Sequence, residues 1–206
     1  MSKVLTLGLK PGDIGFTTIG GRIGWWVSFG QFITGKPGRF SHVFVVLDNN
    51  EVAEAMPNGS RIQPLDRQYG SPVAYVKVNL TDNQRASLVA YGRARLSRPG
   101  GIRYSFIDYL VLALAHIGIK PQKLREYVAR SDRQICSQMA DDFLLHALED
   151  ANDPDSGYHV FCDGRMPQDV VPSELYYELQ ELDGNSVIIL DPTREGVYSP
   201  VVSDKE

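Results

Sequence analysis

Cys136 lies in "RQICSQMADDFLLHAL", at or within a turn of the start of an amphipathic helix whose apolar face carries Met139, Ala140, Phe143, Leu144, Ala147 and Leu148. A thiol there feels the positive end of the helix macrodipole, which favours the thiolate, the nucleophilic form. The position also shares a face with Met139, Ala140 and Phe143, so the same residue reads as a small buried hydrophobe. A nucleophilic thiol needs a base, and His42, at the head of "HVFVVL", is the natural one because imidazole titrates near neutrality. The apolar run behind it is of the kind buried on both faces of a sheet, where an imidazole must find a partner or cost stability. His116, His146 and His159 fall in a core helix, on a helix flank and in a polar segment. None has metal-ligand spacing with another histidine or a cysteine, so neither a metal nor a cofactor is expected.

A cysteine-histidine pair works better with a third polar group that fixes the imidazole tautomer. Glu54 in "EVAEAMPNG" stands between two alanines, where packing gives no reason for a carboxylate. If the hairpin loop is the three residues Asp48 to Asn50, Glu54 falls opposite Phe44 and on the face of His42. A two-residue loop turns it to the other face. Glu51 is the competing candidate, and it and Asp48 are weaker because acidic residues are expected at a turn anyway.

The elements that must position these residues divide the chain into a β-rich first third and a mostly helical remainder. Strands are predicted at "DIGFTTI", "HVFVVL", "EVAEAM" and "PVAYVKVNL", with turns at "KPG", "DNN" and "PNGS" and a glycine-weakened helix over "RIGWWVSFGQFIT". Thr81 with Gln84, and Ser105 with Asp108, form capping boxes in front of "RASLVAYGRARL" and "YLVLALAHI". A short helix around "KLREYVA", the helix from near Ile135, a polar stretch from Glu149 to Pro167 and a last helix opened near Pro172 complete the order. The pattern is α+β, a small antiparallel sheet packed by helices in one domain over 1–206.

Composition narrows the partners. Lys+Arg 21 against Asp+Glu 25, with no block of like charge, argues against nucleic acid or an anionic membrane. The stretch "YLVLALAHIGI" is about half the length of a spanning helix and contains His116, so no transmembrane segment is expected. The beginning of the chain lacks the apolar core of a secretory signal. Two cysteines, Cys136 and Cys162, are too few for a disulfide framework, so reduced thiols are expected.

Taken together, "LKPGDIGF", "GRFSHVFVVL" and "VAEAMPNGSRIQPL" are similar to the half of NlpC-type cell-wall peptidases that carries the catalytic histidine. "GGIRYSFIDYL" and "ICSQMADDFL" resemble the half that carries the tyrosine and the cysteine nucleophile. The cysteine half comes second here, which is the order of the circularly permuted branch of that papain-like superfamily. "VVPSELYYEL" resembles the short helix found after the cysteine helix in that branch. The ordered set spans about residues 9–176 and is far more specific than any one motif.

The resemblance implies Cys136 as nucleophile, His42 as base, Glu54 as the residue orienting the imidazole and Tyr104 as a pocket residue. Asp13 matches the "PGD" aspartate and reads as a turn-stabilising residue. Gln138 and the insertion "GKPGRF" depart from the pattern and bear on the substrate pocket. The implied activity is that of a cysteine peptidase or amidase on peptidoglycan stem peptides. Such a chain would be cytoplasmic or released without an ordinary secretory signal, as a bacterial or bacteriophage product. The alternatives are lipid or small-amide acyl chemistry of the lecithin:retinol-acyltransferase-like type, with Trp25, Trp26, Phe29 and Phe32 lining a groove, and a catalytically silent module that binds peptide or lipid.

Overall fold

The computed structural model describes residues 7–18, 40–56, 59–68, 73–98, 135–148, 170, 172–190 and 200–201. The expected helices over "RIGWWVSFGQFIT", "YLVLALAHI" and "KLREYVA", the polar stretch 149–167, and Tyr104, His116, His159, Cys162 and the Trp25–Phe32 aromatic group lie outside the described residues.

Among the described residues, seven antiparallel strands form one sheet: β1 (Ile14–Thr17), β2 (His42–Val46), β3 (Glu51–Met56), β4 (Gly59–Pro64), β5 (Val73–Lys77), β6 (Ser186–Leu190) and β7 (Pro200–Val201). Their order is β4-β3-β2-β1-β5-β6-β7. Three helices are described, α1 (Asp82–Leu96), α2 (Cys136–Leu148) and α3 (Pro172–Glu181). The architecture is α+β, as the residue pattern predicts, but the expectation of a small sheet is corrected. β4 escaped notice because it is an edge strand with a largely polar, partly exposed sequence. β6 escaped notice because its apolar run, Val187 to Leu190, is too short to assign by periodicity alone.

Strand alternation sorts the core into two layers. Val43, Val45, Ala53, Ala55, Ile14, Phe16, Ala74 and Val76 face the helices and pack with Met139, Ala140, Phe143 and Leu144 of α2. Phe44, Val46, Val52, Val73 and Tyr75 form a second cluster on the other face with Leu65 and Leu7. β2 is therefore buried on both sides, in agreement with its unbroken apolar run. Its Phe44 ring lies over β1, where a side chain on Gly15 would come within 2.1 Å of the ring, so only glycine permits that pairing. α1 begins at the predicted capping box: the Thr81 N–H donates to the Gln84 side chain at 2.8 Å, and the Gln84 N–H to the Thr81 hydroxyl at 3.3 Å. Gly92 of α1 lets the Phe143 ring of α2 approach to a distance that a Cβ would close to 2.6 Å.

Asp13 does stabilise its turn, accepting the Lys10 N–H at 2.8 Å, and it also anchors α1. Arg85 donates to the Asp13 carboxylate at 3.1 Å, and to the Pro11 and Val78 carbonyls, each at 2.5 Å. Burial pushes the Asp13 carboxyl above its ordinary value, against the opposing pull of the Lys10 N–H and of Arg85. Removing the cation leaves a buried carboxylate without its charge partner. Arg85→Leu should therefore cost about 3–5 kcal/mol at neutral pH. The loss should shrink as pH falls through the raised Asp13 value, because the protonated acid no longer needs the cation. Urea unfolding of both proteins at neutral and acid pH measures this, and a pH-independent deficit would assign the loss to packing instead.

Candidate active site

Chain geometry at the β2–β3 hairpin decides which side chain meets His42. Asn49 and Asn50 both take left-handed conformations, with φ of 57° and 56°, which asparagine tolerates better than most residues. The Glu51 N–H donates to the Asp48 carbonyl and the Leu47 N–H to the Glu51 carbonyl, so one residue of β3 faces two on the other arm. The loop is thus Asp48 to Asn50, and the resulting register sets Glu54 opposite Phe44. Glu54 and His42 become diagonal neighbours on one face, within reach of long side chains. His42 Nε2 and Glu54 Oε2 stand 2.9 Å apart, with both side chains almost wholly buried.

Cys136 is the first residue of α2, buried and not in a disulfide. Ile135 precedes it at the capping position and has no side-chain acceptor to offer. The Gln138 side chain reaches back instead to accept the Ile135 N–H at 2.9 Å, the half of a capping box that the third helical residue supplies. Gln138 therefore shapes the helix start. The Ser137 hydroxyl donates to the Val170 carbonyl at 2.6 Å, and the Ser173 hydroxyl of α3 to the Phe40 carbonyl at 3.2 Å. The end of α2 and the approach to His42 are thus both tied to the segment that opens α3.

His42 is hydrogen-bonded to Glu54, and Cys136 is the other group that acts on its protonation. Because Glu54 occupies Nε2, Nδ1 is the nitrogen left for the thiol. Burial works to lower the imidazole pKa, but the hydrogen bonds to Cys136 and Glu54 and the charges of both raise it to about 9. The ring is then an imidazolium at neutral pH and donates from Nε2 to Glu54. For Glu54, burial works upward, but the hydrogen bond and charge of His42, and then those of Arg61, hold the carboxyl below its ordinary value. Arg61 Nε donates to Glu54 Oε1 at 2.7 Å, and Nη2 lies 2.6 Å from the same oxygen.

The structure brings together three of the four residues singled out by the sequence, Cys136, His42 and Glu54. Tyr104 lies outside the described residues. Glu51, the competitor for the third place, accepts from Arg93 of α1 at 2.6 Å, and Asp48 accepts from Arg93 Nε at 2.9 Å. His146 stacks on Tyr91 with ring centroids 3.9 Å apart, an interhelical contact between α1 and α2. Arg61 was missed because β4 was missed: on a recognised strand, its place directly across from Glu54 would have been the signal. Among the described residues, no group of three or more histidine, cysteine, aspartate or glutamate side chains is placed to hold a metal ion. No helix there is long and apolar enough to cross a membrane.

No protein-family model matches the sequence, and no curated protein matches it either. Among solved structures the chain is similar to the metalloprotein yiiX from Escherichia coli O157:H7, at 20% identity over 69% of this chain and 68% of that one, with a TM-score of 0.48.

A raised imidazole pKa adds stability that is fully present below the ordinary value of 6.5 and is lost as pH rises through about 9. Nuclear magnetic resonance of the His42 ring should show titration near that upper value, and Glu54→Gln should lower it. A ring that titrates at its ordinary value and ignores Glu54→Gln would contradict the arrangement.

Proposed function

We propose that this chain is a cysteine hydrolase of the circularly permuted papain-like, NlpC-type kind, a single catalytic domain that cleaves an amide bond in peptidoglycan stem peptides. The observation that carries the reading is the buried His42–Glu54 hydrogen bond, with the thiol at the first residue of α2 acting on the same imidazole. A purely structural cysteine has no use for a charged imidazole beside it. A buried imidazole with a carboxylate behind it and a thiol in front has the orientation that nucleophilic catalysis requires. The substrate class comes from the family resemblance of the ordered motifs, with Tyr104 as the matching pocket residue.

In the proposed reaction, Cys136 Sγ adds to the amide carbonyl carbon and the carbonyl becomes an oxyanion. The positive end of the α2 macrodipole favours both the thiolate before attack and the negative charge that forms after it. The C–N bond breaks as His42 gives its proton to the departing amine, leaving a thioester on Cys136 and a neutral ring. Water then attacks the thioester, His42 accepts its proton, and cleavage of the C–S bond releases the acid and restores the thiolate-imidazolium pair. Glu54 keeps Nε2 engaged throughout, so that the other ring nitrogen stays turned to sulfur and substrate.

Turnover of stem peptides and of acyl amides should vanish in Cys136→Ala, with the unfolding transition little changed because a small volume is lost from a good helix position. Glu54→Gln should lower the rate by orders of magnitude yet stay above the cysteine variant, since orienting a ring is partly replaceable and attacking a carbonyl is not. Glu51→Gln should leave rates near wild type. Mass spectrometry of a quenched reaction should find the acyl group on Cys136. Turnover retained by Cys136→Ala would remove the covalent mechanism.

A further inference from the structure

The far side of Glu54 carries a feature that the three-residue relay does not use. Arg61 is its direct cross-strand partner, on the edge strand β4. The Arg61 side chain is 41% exposed and that of Glu54 only 2%, so the guanidinium spans from solvent to a buried carboxylate. Nε and Nη2 both converge on Oε1. One carboxylate oxygen is thereby taken up by the cation, and the other, Oε2, is left to His42. An exposed arginine-carboxylate pair is ordinarily worth little because water competes for both partners. Here one partner is sealed inside the sheet, and charge-assisted bonds to a rigid fork fix both its rotamer and its ionisation.

We propose that Arg61 is a positioning residue of this site: it acts through Glu54, clamping Oε1 so that Oε2 remains an oriented anion behind His42. The inference rests on reading Cys136 as the nucleophile. The charged groups that act on Glu54 are His42 from β2 and Arg61 from β4, and those that act on His42 are Cys136 from α2 and Glu54 from β3. Without Arg61, burial raises the carboxyl against weaker opposition, since the hydrogen bond and charge of the arginine no longer add to those of His42. On the acid side Glu54 then takes up a proton, the imidazolium loses its counter-charge, and the thiolate loses its partner in turn.

The test needs no substrate. In a Cys162→Ser background, iodoacetamide alkylation of Cys136 is followed from about pH 5 to about pH 10, a range that spans the thiolate values open to a cysteine. Arg61→Gln should slow alkylation near pH 6 by about tenfold, the equivalent of a one-unit shift, and converge on wild type in alkali. Arg61→Lys, which keeps the charge but not the fork, should lose only about threefold. In a Glu54→Gln background, Arg61→Gln should cause no further loss, as expected of two residues acting as one unit. A profile for Arg61→Gln that overlays wild type while the melting temperature falls would make the pair a structural edge contact and overturn the inference. Additive losses in the double variant would overturn it as well. If Arg61→Gln does not fold, Arg61→Lys decides, and an unchanged profile there is equally fatal. A wild-type Cys136 that alkylates no faster than a free thiol would fell the nucleophile reading itself, a result distinct from either variant outcome.

Discussion

The hydrogen bond between His42 and Glu54, buried on both sides, is the constraint around which the rest is arranged. Neither group belongs in an apolar sheet by itself: a lone carboxylate would take up a proton and a lone imidazole would stay neutral. Placed 2.9 Å apart, each supplies the charge that keeps the other ionised. The shifts of the two groups run in opposite directions: Cys136 and then Glu54 push the ring up to about 9, and His42 and then Arg61 hold the carboxyl down. A sheet that carries such a pair must hold it in register, because a slip of one residue sends both side chains to opposite faces.

Register is secured at both ends of the hairpin. At the turn, two asparagines in left-handed conformations set the loop at three residues, and Arg93 of α1 grips Asp48 and Glu51 from outside. Further along, Phe44 fills the space over Gly15 on β1, while Thr17 and Ser41 share a backbone bond of 3.0 Å that starts β2 beside β1. The acidic residues of this hairpin thus divide by role according to parity and depth. Glu51 is at the turn and partners a helix, whereas Glu54 is three residues further in and partners the imidazole.

The helix that brings the thiol is positioned by a different set of forces. Its apolar face packs on the layer of Val43, Val45, Ala53 and Ala55, and its start is held by Gln138 on Ile135 and by Ser137 on Val170. A second buried charge pair, Asp13 with Arg85, joins α1 to the turn that leads into β1. Asp13 and Glu54 each have the cost of burial offset by an arginine on a neighbouring element, Arg85 for the scaffold and Arg61 for the site.

Much of this was legible from residue types alone. The β-branched run of β2, the glutamate between alanines, the capping box of α1 and the amphipathic face of α2 are local patterns, and local patterns survive without coordinates. Side-chain parity reduces the third residue to a choice of loop length, but sequence cannot make that choice, because both loops suit the same residues. Tertiary structure made it, through the left-handed asparagines and the pairing of Glu54 with Phe44. Tertiary structure also added what no local pattern encodes. β4 is an edge strand whose polar residues show no alternation to read, and only its pairing with β3 reveals that Arg61 lies across from Glu54. Sequence by itself determined which groups have chemistry to offer, since that depends on side-chain identity. Which of them meet, and in what charge state, was decided by long-range pairing and burial, since both depend on residues far apart in the chain.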